Sequence, residues 1–286
     1  MANIRKIRKV VTGKASVDGA GVKLVRVFGY HDTADFDPFL MLDAFDSERP
    51  DDYIKGFPWH PHRGIETITY LIRGVIEHGD SLGNQGTILD GQCQWMTAGS
   101  GIIHQELPQP CPKMFGIQLW LNLPAQAKMA PPKYRSLTQT AIPVIQDDGQ
   151  TIRLIAGTYQ GKPGALQGDY CQPLMLDVEL APEVGWSLVT APDDKLFVYI
   201  LQGAAVCDPQ AGEPVPAKHA VLFEAGDQLR VKATSAGARF LLLAGKALGE
   251  PIAWGGPIVM NTPAELELAF KELDENTFIK HPASGH

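Results

Sequence analysis

The sequence predicts an all-β protein of two tandem antiparallel β-barrels with one short C-terminal helix. Its 286 residues suit two domains of about 100–150 residues each and are too many for one small core. The 29 glycines and 22 prolines recur between short runs rich in Val, Ile, Leu and Phe. Turn residues spaced in this way separate short strands, which favours closed barrels or sandwiches over a parallel α/β sheet.

The first half of the chain reads as a series of short strands with tight turns between them. Arg73-Gly74 and Asp90-Gly91 are two of these turns, and no pattern of a crossover helix interrupts the series. The predicted strands are Lys23–Phe28, Phe39–Phe45, Glu66–Ile72, Gly74–Asp80, Gly86–Leu89, Gln92–Thr97 and Met114–Asn122.

The proline-rich segment Pro124–Pro143 lacks a sustained period and is the best candidate for a linker. We therefore predict an N-terminal domain over residues 1–135 and a C-terminal domain over residues 136–286. The second half repeats the architecture of the first, with predicted strands at Thr151–Ile155, Pro173–Leu180, Gly185–Val189, Leu196–Leu201, Ala220–Phe223, Asp227–Val231 and Ala238–Gly245.

A short amphipathic helix is predicted near the C-terminus. Thr262 is a good N-cap residue, Pro263 suits the first helical position, and Glu265 completes a capping box. The apolar residues of one face follow at Leu266, Ala269, Phe270 and Leu273. We expect this helix to pack on the outside of a barrel.

Charge and cysteine spacing exclude several classes of function. The formal net charge is −7, whereas a nucleic-acid surface needs clustered Lys and Arg, and the basic run Arg5–Lys9 is interpreted as a solvated edge strand. The four cysteines lie far apart without a C-x-x-C pair, so we expect reduced, buried thiols. No run approaches the roughly 18–20 apolar residues that span a bilayer, and no signal-peptide segment follows Met1. The expected compartment is the cytoplasm.

Two short motifs indicate a metal site. His60 and His62 are two residues apart, and so are His104 and Glu106. Residues two apart on an extended chain project to the same side, so each pair can act as a clamp. If the clamps meet across the inside of one barrel, three imidazoles and one carboxylate leave an octahedral metal with about two open positions. A lone H-x-H is common by chance, but a second pair in the same strand-rich half favours the metal.

The ligand set does not determine which metal binds or whether a second carboxylate takes part. Imidazoles with one carboxylate suit divalent iron, manganese, nickel, copper or zinc. Glu66 shares side-chain parity with His60 and His62 on a continuous strand, so it is either a second carboxylate or a partner of a ligand. The remaining histidines have no ligand-type partner at strand spacing and are predicted to be exposed or structural: His31, His78, His219, His281 and His286.

The longer sequence around these motifs resembles the pirin family of the cupin superfamily. The resemblance is carried by Asp37–Asp43, His60–Thr67, Gln94–His104, Gln118–Leu123 and Gly256–Asn261, and so covers nearly the whole chain. It implies a bicupin, a pair of cupin barrels of which only the N-terminal one holds a metal.

The resemblance also implies which residues bind that metal. The ligands are then His60, His62, His104 and Glu106, and the C-terminal domain has no metal site. Many other cupins take their carboxylate from the position of Glu66, whereas pirins use the later position of Glu106. Iron(II) is the expected metal, with zinc, manganese, nickel and copper as alternatives.

Several pirin-like proteins are quercetin 2,3-dioxygenases, so the resemblance implies oxygenolytic opening of a flavonol or a similar aromatic, enolic substrate by dioxygen. Glu106 would remain a ligand or detach to accept the hydroxyl proton. The predicted substrate contacts are Gln118, Phe57 and Trp95, for which ordinary barrel core is the alternative.

Two other hypotheses remain at this point. The chain could be a non-catalytic protein whose metal redox state changes its affinity for a transcription factor or a metabolic enzyme, which predicts no turnover. A purely structural metal would show a closed coordination sphere and no cavity, and structural zinc usually includes cysteine. Two covalently joined barrels are expected to be monomeric.

Overall fold

The predicted all-β class is confirmed by the computed structural model, which describes residues 2–208 and 212–281. The first half contains β1 (Ile7–Thr12), β2 (Lys14–Asp18), β3 (Val22–Phe28), α1 (Thr33–Phe36), β4 (Phe39–Ser47), β5 (Phe57–His62), β6 (Ile65–Arg73), β7 (Ile76–Asp80), β8 (Gln85–Ile88), β9 (Gln92–Thr97), β10 (Ile102–Pro108), β11 (Met114–Asn122) and β12 (Lys133–Leu137). Short 3₁₀ turns lie at Tyr30–Asp32, Pro50–Asp52 and Ala125–Ala127.

The second half is also built mainly of strands and ends in the predicted helix. It contains β13 (Val144–Asp147), β14 (Gln150–Ala156), β15 (Thr158–Tyr159), β16 (Lys162–Pro163), β17 (Leu174–Leu180), β18 (Gly185–Val189), β19 (Lys195–Val206), β20 (Val215–Pro216), β21 (His219–Phe223), β22 (Gln228–Gly245), β23 (Ala253–Gly255), β24 (Ile258–Met260) and α2 (Pro263–Asp274). The capping box of α2 is confirmed, since Thr262 Oγ1 accepts from the Glu265 amide and the Glu265 carboxylate accepts from the Thr262 amide. Among the described residues, no helix is long and apolar enough to cross a bilayer.

The chain divides into two compact units, and each unit includes the terminal segment from the other half of the chain. The N-terminal unit comprises Lys14–Thr33, Phe39–Gln139 and Leu248–His286, and the C-terminal unit comprises Met1–Gly13, Ala34–Pro38 and Thr140–Ala247. The predicted domains, 1–135 and 136–286, therefore differ from these units at both ends of the chain. The reason is long-range strand pairing: β1 pairs antiparallel with β21, and α2 packs against β23 and β24 in the N-terminal unit.

The N-terminal unit consists mainly of two antiparallel sheets. One has seven strands in the order β12-β9-β6-β11-β4-β3-β2, and the other has four in the order β5-β10-β7-β8. Polar residues lie among its buried positions; Gln118 of β11, for example, stands opposite Thr69 of β6. Buried polar side chains require hydrogen-bond partners or a ligand, so these sheets form more than an ordinary apolar core.

The C-terminal unit is organised around a nine-stranded sheet with the path β1-β21-β19-β22-β17-β14-β13. Its core is a single apolar cluster in which large side chains such as Trp186 and Phe240 are buried. A dense apolar filling of this kind leaves little room for a ligand inside the core.

Two features of the strand prediction are wrong. The segment Pro124–Pro143 is not wholly a linker, because β12 lies within it and pairs with β9. The strands predicted at Asp227–Val231 and Ala238–Gly245 are one strand, β22. In the stretch between them, Lys232 pairs with β18 and β19 and Ala233 pairs with β19, and the pairing with β19 resumes at Ala238.

The expected solvated N-terminal strand is also corrected at one residue. Arg5 is only 1% exposed, and its guanidinium donates to Thr190 Oγ1, the Glu224 carbonyl and the Ala191 carbonyl. The prediction of free thiols is confirmed, and Cys111 is the one cysteine that is not buried.

Candidate metal centre

Adjacent strands β5 and β10 bring the two predicted motifs together. They are antiparallel, with His60 opposite His104 and His62 opposite Ile102. Opposite residues of paired strands share a face, and residues two apart on one strand share it too. The three histidines therefore gather on one face of the four-stranded sheet, whereas the sequence predicted two clamps meeting across the barrel interior.

The imidazoles are close enough to share one ion. One ligating nitrogen from each of His60, His62 and His104 lies within 4.8 Å of the other two. Nε2 of His60 is 3.1 Å from Nε2 of His62. The ring centroid of His104 is 4.4 Å from that of His60 and 5.1 Å from that of His62.

Hydrogen bonds fix which nitrogens are available. Nδ1 of His60 lies 2.8 Å from the Pro58 carbonyl, and Nδ1 of His62 lies 3.0 Å from the Pro257 carbonyl. A carbonyl only accepts, so each Nδ1 carries the proton and each Nε2 presents a lone pair. The two Nε2 lone pairs thus face each other at short range, an arrangement that a cation between them would stabilise.

His104 provides an independent test of the fit. It is only 1% exposed, and neither of its ring nitrogens has a hydrogen-bond partner. Burial lowers the pKa of His104, and burial followed by the neighbouring His60 lowers the pKa of His62 to about 3. Both rings are therefore neutral near pH 7, which is the form that binds metal. Buried, neutral and unpartnered nitrogens fit a metal ion in this position.

The carboxylate of Glu106 is buried on the same strand. Thr69 Oγ1 donates to one carboxylate oxygen and Gln118 Nε2 to the other, each at 2.8 Å. Along β10 the two-residue spacing holds, because β10 pairs with β7 without a shift from His104 to Pro108 and its buried positions alternate. The register shift lies in the pairing with β5, where Phe57 stands opposite Glu106. The cluster of close nitrogens comprises the three histidines, and Glu106 as a fourth ligand stays a prediction.

Glu66 is separated from the histidines by a break in the chain direction. Gly64 has a φ of +77°, which ends β5 and allows β6 to enter the seven-stranded sheet. The parity argument assumed one continuous strand and therefore fails. The Glu66 carboxylate is fully buried and accepts a 2.6 Å hydrogen bond from Thr97 Oγ1 of β9.

A cavity of about 670 Å³ opens onto two of the three histidines. His60 and His62 line it, together with the predicted contacts Phe57 and Gln118. Trp95, the third predicted contact, does not line it: its side chain is 0% exposed and lies in the core. The cavity is within the range of about 300–1,000 Å³ that is typical of small-molecule sites.

One wall of the cavity is aromatic and was only partly anticipated. The ring of Trp120 lies 5.1 Å from that of His62 and 5.7 Å from that of Trp254, and Tyr30 lies 5.6 Å from Trp254. Trp120 lies two residues after Gln118 on β11, so the two side chains share a face of that strand. No sequence signal links Trp254 or Tyr30 to the histidines, because neither belongs to a motif around them.

Comparison with known proteins agrees with the geometry. Residues 21–121 match the pirin family, and residues 175–279 match the pirin C-terminal cupin domain. A pirin-like protein of Caulobacter vibrioides is 41% identical over 278 residues, which cover 96% of this chain and 99% of that protein. This chain belongs to the pirin family.

Two further relatives of this pirin cover most of its length. A pirin-like protein of Solanum lycopersicum is 36% identical over 96% of this chain and 94% of its own. The crystal structure of a quercetin 2,3-dioxygenase from Acinetobacter baumannii has a TM-score of 0.88 and 31% identity, covering 96% of this chain and 98% of that one. The predicted bicupin architecture of a pirin is thereby confirmed.

The other histidines of this pirin lie outside the cluster of three. His78 is buried, its ring stacks on Tyr134 with centroids 4.5 Å apart, and burial lowers its pKa. Nδ1 of His219 lies 3.0 Å from the Ala217 carbonyl. His31 and His281 are exposed, and His286 lies outside the described residues.

Proposed function

We propose that this pirin is a metal-dependent dioxygenase that opens the enolic ring of quercetin or a similar flavonol. The observation that carries the proposal is the convergence of three imidazoles beside an aromatic-walled cavity of about 670 Å³. A related protein of known structure, 31% identical over nearly the full chain, is named a quercetin 2,3-dioxygenase. Dioxygen is the co-substrate of this reaction.

The residues that would hold the metal are His60, His62, His104 and Glu106. Three imidazoles and a carboxylate suit a divalent first-row metal, with iron(II) as the expected ion, and an octahedral ion would keep about two positions open. When bound, the metal supplies Lewis-acid chemistry that favours deprotonation of the flavonol 3-hydroxyl and lets charge spread onto the ring carbon that dioxygen attacks.

Glu106 is the proposed acceptor of the 3-hydroxyl proton. Each of its oxygens already accepts one hydrogen bond, from Thr69 or Gln118, and an ionised carboxylate oxygen has a second lone pair. Thr69 and Gln118 would hold the carboxylate in place while a lone pair turns toward the substrate. This gives Gln118 a positioning role beside its place in the cavity wall.

The aromatic wall would bind the flavonol and exclude water. Phe57, Trp120 and Trp254 present rings to the cavity, and planar ligands stack favourably on such rings. With the planar substrate against this wall, its 3-hydroxyl can point toward the histidines.

The test is oxygen uptake with quercetin after anaerobic loading of iron, manganese, nickel, copper or zinc in turn. We expect metal-dependent uptake that disappears in His104→Ala, and His219→Ala serves as the matched control because His219 belongs to the C-terminal unit. Uptake with full rate in metal-free His104→Ala would refute the catalytic assignment. No uptake with any metal at full occupancy would instead favour the non-catalytic binding protein.

The choice of carboxylate is tested separately. Glu106→Ala should weaken metal binding, because it removes a proposed ligand, whereas Glu66→Ala should leave the metal in place. Metal content after dialysis measures both. Loss of the metal in Glu66→Ala with retention in Glu106→Ala would show that the ligand assignment is wrong.

A further inference from the structure

A segment late in the chain contacts the metal centre. The C-terminal segment, defined here as residues 248–281, follows the last strand of the C-terminal unit and belongs to the N-terminal unit. Its Pro257 carbonyl accepts the hydrogen bond from His62 Nδ1 at 3.0 Å, and its Trp254 lines the cavity. The segment therefore supplies both a partner for one candidate ligand and part of the substrate wall.

Arg63, the residue after His62, also binds the C-terminal segment through its side chain. It is 2% exposed, and its Nη2 donates to the Phe278 carbonyl at 2.8 Å. Its Nη1 lies 2.7 Å from a carboxylate oxygen of Glu272 on α2, and its guanidinium carbon lies 4.1 Å from the centroid of the Phe278 ring. Its Nε donates to the Ser100 carbonyl at 2.7 Å.

These contacts use the whole guanidinium fork. Three separate acceptors surround it, one before β10 and two in the C-terminal segment, and only arginine offers donors in this planar arrangement. The backbone adds a further link, since the Val259 amide donates to the Arg63 carbonyl at 3.1 Å. The segment is thus attached to Arg63 at three positions that follow Pro257 in the chain: Val259, two residues later, and the more distant Glu272 and Phe278.

The position of the buried Arg63 guanidinium beside the candidate ligand His62 suggests a role at the metal site. An ion pair that only stabilised the fold could lie anywhere in the unit. The contacts of Arg63 instead join the residue next to His62 to the C-terminal segment, whose Pro257 carbonyl accepts the hydrogen bond from His62 Nδ1. Partners of ligating histidines fix the tautomer and the ring orientation, and their loss typically weakens metal binding about 10–100-fold.

We propose that Arg63 and Glu272 are positioning residues for the metal centre. Their ion pair holds the C-terminal segment where the Pro257 carbonyl keeps His62 in the Nδ1–H tautomer, with Nε2 directed at the metal. This inference rests on the metal site of the proposed function but not on the substrate or on turnover.

The test compares Glu272→Gln with Glu275→Gln in the full-length protein. Glu275 is the C-cap residue that follows α2, is exposed, and lies 3.8 Å from the Lys271 amine, so it is a matched control. Cobalt(II) affinity is measured by chelator competition, and the tautomer of His62 in the metal-free protein by ¹⁵N NMR. We expect an affinity about tenfold weaker and a mixture of tautomers in Glu272→Gln, with neither change in the control.

A second variant keeps the test decisive if Glu272→Gln does not fold. Arg63→Lys retains the positive charge beside Glu272 but cannot reach both carbonyls, so it should show the same two changes. Native cobalt affinity and a single Nδ1–H tautomer in whichever variant folds would overturn the proposal. A protein without quercetin turnover would leave these readouts unaffected, so failure of the enzyme assignment is distinguishable from failure of this one.

Discussion

The two units of this pirin share antiparallel strands but fill their interiors differently. Among the described residues, the C-terminal unit buries two polar or charged side chains, Arg5 and Asp177, and Asp177 is paired with Arg239. The N-terminal unit buries many, including His104 and Glu106. Burying polar groups costs free energy unless they are hydrogen-bonded or bind a ligand. The interior of the C-terminal unit is therefore almost wholly apolar, whereas that of the N-terminal unit contains polar groups that need hydrogen bonds or a ligand.

The largest expected effect is the loss of metal from His104→Ala. This change removes the most deeply buried imidazole of the three, so binding of one ion per chain should fall to none in a nickel(II) titration followed by calorimetry. His219→Ala, in the C-terminal unit, should bind metal like the unchanged protein. A retained stoichiometric site in His104→Ala would break the comparison, because the polar interior would then serve another purpose.

The next effect concerns the apolar interior of the C-terminal unit. Phe240 is 0% exposed and contacts Trp186, so Phe240→Ala should lower the free energy of unfolding by about 3–5 kcal/mol. Urea unfolding followed by circular dichroism measures this loss, and Val189→Ala, at an 81% exposed position, is the control. We expect the metal affinity to change by less than about twofold at low urea, where both units are folded.

The histidines of the site could be predicted from sequence because they depend on local geometry. His60 and His62 share a face whenever β5 is extended, and His104 stands opposite His60 on the neighbouring strand. The prediction for Glu66 failed because it assumed one continuous strand. The chain changes direction at Gly64, so Glu66 does not share a face with His60 and His62.

The remaining parts of the site depend on long-range contacts that carry no local signal. Pro257 and Trp254 come from a segment almost 200 residues after His62 in the chain, and only the folded structure brings them together. The exchanged termini belong to the same class, since nothing in the sequence of β1 identifies β21 as its partner. Trp95 illustrates the opposite error, because an aromatic residue near a motif was core and not cavity wall.

A smaller effect tests the stability cost of the polar interior. In the metal-free protein the buried His104 nitrogens have no partner, and an unsatisfied buried polar group costs about 1–3 kcal/mol. His104→Leu should therefore raise the free energy of unfolding of the metal-free protein by a similar amount, measured by urea unfolding with a chelator present. His78→Leu is the contrast: it removes the hydrogen bond to Tyr134 and should lower stability. If both variants are equally destabilised, the unpartnered nitrogens of His104 do not lower the stability of the metal-free protein.

The smallest expected effect distinguishes the units by the reactivity of their thiols. Burial raises the pKa of Cys93 in the N-terminal unit and raises that of Cys207 in the C-terminal unit to about 12, so both thiols should be unreactive in the native protein. Cys111 is the partly exposed cysteine and lies near the Tyr53 hydroxyl, with 3.4 Å between sulfur and oxygen. A disulfide-exchange reagent should therefore modify about one thiol quickly, in the N-terminal unit, and Cys111→Ser should remove this fast phase. Fast modification of Cys207 instead would mean that the apolar interior of the C-terminal unit opens more readily than its packing indicates.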